Sequence, residues 1–202
     1  MPPTSPQDER SIRAPHPLAL RLIERLHAGS RVLDFASGSG RNTAALARAG
    51  LDVVAVDDAT AQSAEPLRGV SGRFAGTLST HGFLHGSEIQ IAQRVRAVVE
   101  QLDPRGVFYA TFGSSSDDRF GRGTALDRNT YAPTDGDEAG VPHTFFTTHT
   151  LRAFLEPLVV IELLSESVVD EIAGRWAHER APLEHAVHWF VTGYRPMRGR
   201  SE

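Results

Sequence analysis

Residues 32–50 read VLDFASGSGRNTAALARAG: an apolar run closed by an acid, a turn of small residues, and a helix-like segment that stops at Gly50. The next residues, LDVVAVDD at 51–58, form a second run that is apolar nearly throughout, as strands buried on both faces are. Strand, helix and strand within about 28 residues make a βαβ unit, with parallel strands and a right-handed crossover. The chain therefore starts an α/β sheet.

In such a unit a small-residue turn lets the backbone come close to a ligand, and the helix N-terminus supplies free N–H groups. Gly38 and Gly40 are the close-approach residues; Asp34 precedes them, and Asp57 closes the second strand, where a carboxylate can accept both hydroxyls of a ribose. Asp58 points to the opposite face from Asp57. Two ligands suit this arrangement, a dinucleotide and S-adenosylmethionine. A dinucleotide fingerprint wants a third glycine where Thr43 stands, and Asp34 would repel a pyrophosphate. S-adenosylmethionine has no phosphate and carries a sulfonium and an ammonium, so the acid favours it.

Outward from the unit, residues 1–16 are Pro-rich and expected to be a flexible lead-in, 17–196 one domain, and 197–202 a tail. PLALRLIERLHAG from Pro17 to Gly29 predicts a helix with Leu18, Leu20, Leu22, Ile23 and Leu26 on its apolar face. FAGTLSTHGFLHG predicts a strand running into a loop, and SEIQIAQRVRAVVEQL a helix with Ile89, Ile91, Val95, Val98, Val99 and Leu102 as apolar positions. GVFYATFG is a strand by its β-branched and aromatic content. Residues 114–142 are polar, Gly-rich and aperiodic, which predicts a long loop; with Asp117, Asp118, Asp135, Asp137 and Glu138 it is a candidate lid. TTHTLRAFLEPL predicts a helix, VVIELLSESVVD a strand, and HAVHWFVTGYRP a final strand.

Composition narrows the partners. A 202-residue chain with 40% hydrophobic and 23% charged residues is an ordinary globular domain. A net charge of -4 argues against a nucleic-acid ligand, although Arg195, Arg198 and Arg200 cluster near the end. The absence of cysteine removes disulfides, thiolate nucleophiles and Cys-based zinc sites. The N-terminus reads as neither signal nor anchor, and PLVVIELL is too short to span a membrane, so a cytoplasmic protein is expected. A homodimer is left open.

VLDFASGSGRNTAALARAGLDVVAVDDA resembles the first motif, following helix and second-strand acid of the class I S-adenosylmethionine-dependent methyltransferases. LDPRGVFYATF is similar to that family's turn into its fifth strand, and GVPHTFFTTHTLRAFLEP to a segment of its small-molecule branch, with tellurite-resistance-type and thiopurine-type relatives. The resemblance runs from about residue 18 to 195. It implies a Rossmann-like three-layer sandwich with a mostly parallel sheet and an antiparallel last strand, and a methyltransferase that uses S-adenosyl-L-methionine on a small-molecule acceptor.

The same resemblance implies roles for particular residues. Asp34, Ala36, Gly38, Gly40, Asp57 and Asp58 belong to the cofactor site, with Ala36 where the family has its first glycine. Arg41 and Asn42 reach the methionine carboxylate; Ser79, Thr80 and His81 line the methyl-transfer pocket. His81 and His143 are the candidate bases, against the plain alternative of hydrogen-bonded histidines. His81 and His85 have metal-ligand spacing, but no third ligand lies near them in sequence and no metal is expected. Phe145, Phe146, Trp176 and Trp189 read as core. Residues 58–73 are too few for the helix, third strand and adenine-facing acid that the family normally has there. Two further readings stay open: a nicotinamide-dependent oxidoreductase on the same start, and a non-catalytic module that has lost the cofactor.

Overall fold

The first helix begins where its geometry is prepared by two residues. In the computed structural model, which describes residues 14–136, 138–169 and 185–197, His16 accepts the Leu18 N–H on Nδ1 at 3.0 Å. Pro17, with no N–H to satisfy, takes the first position of α1 (Pro17–Arg25). Leu18, Ala19 and Leu22 are its buried face, whereas Leu20, expected there, points outward. Asp137, Trp176, His178, Arg198 and Arg200 lie outside the described residues.

The βαβ unit is present as read: β1 (Arg31–Phe35), α2 (Arg41–Arg48) and β2 (Asp52–Val56), with the strands parallel and Leu33 opposite Val54. A short helix α3 (Asp58–Ala61) leads on to β3 (Phe74–Ser79), which pairs with the other side of β1. Helix α4 (Glu88–Gln101) opens on a capping box, in which Ser87 accepts the Gln90 N–H and the Gln90 side chain accepts the Ser87 N–H. It delivers the chain to β4 (Leu102–Ser114), parallel to β3. After β5 (Thr124–Ala125), β6 (Thr130–Ala132), β7 (His143–Phe146), α5 (Thr148–Leu155) and β8 (Val160–Val168), the last strand β9 (Val187–Tyr194) runs antiparallel beside β4 and carries β8. The sheet is therefore mostly parallel with an antiparallel last strand.

Alternation along the strands sends side chains to two layers. On one face Leu18, Leu22 and Leu46 of α1 and α2 pack on Val32, Leu78, Val107 and Phe190. On the other, Ile91, Val95 and Val98 of α4, with Leu151 and Leu155 of α5, pack on Leu33, Phe74, Phe108 and Phe112. Phe83, from the loop after β3, stacks at 5.4 Å on both Phe35 and Phe112 and at 6.0 Å on Phe108. Phe145, Phe146 and Trp189 are core, and the Trp189 indole donates to the Phe146 carbonyl at 2.8 Å.

Three expectations change. β2 is not buried on both faces: the order β2-β1-β3-β4 leaves it at the sheet edge among the described residues, because 58–73 supplies only a four-residue helix and no further strand. Ile89 is 72% exposed, since it sits one position off the stripe through Ile91, Val95 and Val98. Residues 114–142 are not a free-standing lid, because β5 and β6 form a hairpin and β6 pairs with β7, Tyr131 opposite His143. Among the described residues no helix is long and apolar enough to cross a membrane. Phe83→Ala is expected to lower stability by about 3 to 5 kcal/mol, seen as a lower urea midpoint at unchanged slope. Ile89→Ala is expected to stay within about 0.5 kcal/mol.

Candidate functional site

The turn from β1 into α2 uses left-handed backbone at alternate positions, Ala36 (φ 59°), Gly38 (φ 53°) and Gly40 (φ 79°). At Ala36 that conformation costs about 1 kcal/mol or more, which a single methyl tolerates. Nothing stands within 4 Å of a Cβ built on Gly40, and one on Gly38 meets only the Asp58 carboxylate, at 3.7 Å. The room beside the turn is thus bounded by an acid.

Asp34 is buried at the end of β1 and accepts the Thr43 hydroxyl at 2.6 Å and the Thr43 N–H, which caps α2 from the preceding strand. Burial raises its pKa to about 6, the Thr43 bonds oppose this, and neighbouring Asp58 adds to it. The Arg41 guanidinium offsets only part of this. Asp57 takes a different part: its carboxylate accepts the Thr60 N–H at 2.8 Å and the Thr60 hydroxyl at 3.1 Å, capping α3, and these bonds hold its pKa low. Asp58 opens α3 and faces the turn.

Arg41 and Asn42 are both buried rather than surface residues. Asn42 bridges three segments: its Oδ1 accepts the His16 N–H at 2.9 Å and its Nδ2 donates to Thr80 Oγ1 at 3.2 Å. Thr80 in turn accepts the Thr111 hydroxyl on its carbonyl at 2.6 Å and lies 3.3 Å from His81 Nδ1. Burial, with the charges of His81 and Arg41, lowers the His16 pKa to about 2, so His16 is a neutral acceptor. His81 meets the buried His188 edge-on, with ring centroids 6.4 Å apart. Ser79 turns inward and accepts the Gly82 N–H at 3.2 Å, a local turn contact.

The structure therefore gathers Asp34, Ala36, Gly38, Gly40, Arg41, Asn42, Asp58, Ser79, Thr80 and His81 at the ends of β1 and β3, with Asp57 one strand away. His143 goes elsewhere, to a cluster with His85 and Glu138. His16 falls in the expected lead-in, although a histidine directly before a proline at a helix start is a capping position. His188 is one of several downstream histidines that the sequence offers as a possible base, with nothing to set it apart from His149 or His185.

No family model and no curated protein matches the sequence. Solved structures match over nearly the whole chain. A methyltransferase from Methanosarcina mazei superposes with a TM-score of 0.68 at 13% identity, over 91% of this chain and 99% of the other. The 1,6-didemethyltoxoflavin-N1-methyltransferase of Burkholderia thailandensis, solved with 1,6-didemethyltoxoflavin and S-adenosylhomocysteine, gives 0.62 at 19% identity, over 90% and 78%. TehB from Haemophilus influenzae gives 0.58 at 11%, over 89% and 62%. The fold is the class I methyltransferase fold.

The Asp34 carboxyl carries a pH signature. Its folded pKa, about 6, lies above the ordinary 3.8, so between these values the folded state holds more protons than the unfolded one. Stability is thereby lost as pH rises from about 4 to about 6, by on the order of 2 to 3 kcal/mol. Asp34→Asn is expected to remove that component, so that the difference between wild-type and variant unfolding free energies changes across this window and is flat above it.

Proposed function

We propose that the protein is an S-adenosylmethionine-dependent methyltransferase acting on a small-molecule acceptor. The observation that carries this reading is the buried acid at an open, left-handed glycine turn. The ionised Asp34 is disfavoured by burial and by Asp58, so a cation placed beside the turn would stabilise it, whereas a pyrophosphate would add repulsion. Thr43, where a dinucleotide turn needs glycine, is engaged with Asp34. This leaves the nicotinamide reading without support.

The residues present fit such a cofactor. Gly38 and Gly40 leave its close approach unobstructed, Asp34 and Asp58 bring negative charge to the turn, and Arg41 and Asn42 bring polar groups. Asp57 keeps its side chain at the surface end of β2, where it can accept ribose hydroxyls in exchange for the Thr60 hydroxyl. When bound, the cofactor supplies an electrophilic methyl group on a sulfonium. The protein then has to hold an acceptor in line with that methyl and exclude water, which accounts for most of the acceleration in such displacements. In this reading His81, whose Nδ1 lies 3.3 Å from Thr80 Oγ1, takes the acceptor's proton.

The non-catalytic reading has one observation in its favour. Residues 62–73 fold back on the body, with Leu67 and Val70 on the core and Arg31 donating to the Ser71 carbonyl at 2.8 Å, so no third strand stands beside the adenine position. Calorimetry separates the two. S-adenosylmethionine and S-adenosylhomocysteine are expected to bind stoichiometrically at pH 8, NADH not at all, and Asp57→Ala to weaken binding about tenfold, roughly 1.4 kcal/mol. Below about pH 6 the affinity should fall by about tenfold per pH unit as Asp34 takes up a proton. A folded protein with no heat of binding for either ligand would establish the non-catalytic reading instead. A cytoplasmic setting and a homodimer belong to the same proposal and rest on the sequence alone.

A further inference from the structure

His85, Glu138 and His143 come from three separate segments and converge on one point. His85 ends the loop after β3 and makes an isolated bridge to His143, the first residue of β7. The two rings meet edge-on, 4.7 Å between centroids. Glu138 enters from the 114–142 segment and offers one oxygen to each ring: Oε1 is 3.4 Å from His85 Nε2, and Oε2 is 3.1 Å from His143 Nε2. All three potential ligand atoms lie within 4.8 Å of one another.

The surroundings of His143 make this convergence informative. Its Nδ1 lies 2.8 Å from the Val141 carbonyl, which can only accept, and its Nε2 is turned toward Glu138 at 3.1 Å. That Nε2 is buried and forms no hydrogen bond of acceptable geometry. The buried Nε2 and the carboxylate oxygen beside it are two donor atoms that a cation between them would join. Ligand atoms held at about 2.0 to 2.1 Å around a tetrahedral ion stand about 3.3 to 3.4 Å apart, so three donor atoms within 4.8 Å of one another need to close by at most about 1.5 Å.

We propose that His85, Glu138 and His143 bind a divalent transition-metal ion, zinc by preference. Two imidazoles and one carboxylate are borderline ligands that suit zinc and its neighbours, whereas magnesium and calcium call for oxygen alone. The supporting contacts are those a ligand set needs. The Val141 carbonyl orients His143, and the Arg94 guanidinium holds the His85 carbonyl. Arg119, itself paired with the buried Asp117 at 2.8 Å, stands 3.7 Å from Glu138 Oε2. Three protein ligands leave one position for water. The ion would fasten the 114–142 segment to β7 and to the loop after β3 that also carries Thr80 and His81. This site does not depend on the methyltransferase reading, and its test uses no cofactor.

The test is a titration of the full-length, untagged, chelator-treated protein with zinc chloride by calorimetry and with cobalt chloride by visible absorption. One equivalent of zinc per chain is expected, with the strong visible bands of tetrahedral cobalt. Glu138→Gln, at a half-exposed position that does not threaten folding, should weaken binding at least tenfold and dim the bands, His143→Ala should abolish both, and His149→Ala, on the exposed face of α5, should change neither. Substoichiometric binding, or binding undiminished in a folded Glu138→Gln protein, would overturn the proposal. So would a cluster that takes no metal and only shifts thermal stability as the histidines protonate, which is the signature of an ion-pair latch.

Discussion

The hydrogen bond from the Thr43 hydroxyl to the buried Asp34 carboxylate, 2.6 Å long, fixes how the chain passes from β1 into α2. A helix must satisfy its first N–H groups from outside itself, and here Gly40 at the cap position has no side chain to do it. The strand supplies the missing acceptor. With α2 set in this way, Asn42 reaches both His16 and Thr80, and the starts of α1 and α2 and the end of β3 are tied together. The turn keeps its open side because its own capping is handled from beneath.

A second organiser is Arg94. It is buried with no carboxylate partner among the described residues, and its charge is met by backbone carbonyls: Gly82 at 2.8 Å, Gln90 at 3.2 Å and His85. Burial lowers its pKa to about 10, which still leaves it charged at neutral pH. These contacts shape the loop that leaves β3, place Phe83 in the aromatic stack, and put His81 and His85 at opposite ends of a short stretch. One loop therefore serves two clusters, with Phe83 and Arg94 packed between them.

What was legible in the sequence was what period and order encode. The βαβ start, α4 with its stripe through Ile91, Val95 and Val98, and the final strand all follow from spacings of two or three and four residues. Apolar content misled at β2, because a run of valines states that a strand is suited to burial without stating that a neighbour exists to bury it. Strands of two and three residues, such as β5 and β6, are too short to show any period, so a hairpin passed for a loop. His16 meets Asn42 across 26 residues, and His85 meets Glu138 and His143 across more than 50, joined by packing that no local pattern records. The acid at residue 34 was legible as an acid out of place; its bond to Thr43, nine residues on, was not.

The exposed position of β2 gives the molecule an open rail of backbone N–H and C=O groups on one side. Such rails invite strands from other chains, and proteins commonly blunt them with shortness and charge. Here the rail is five residues long, Asp52 stands at its start within 3.6 Å of Arg31, and Asp57 and Asp58 stand just past its end. The carboxylates at 57 and 58 therefore guard that edge: neutralising them would leave a bare valine-rich border for self-association.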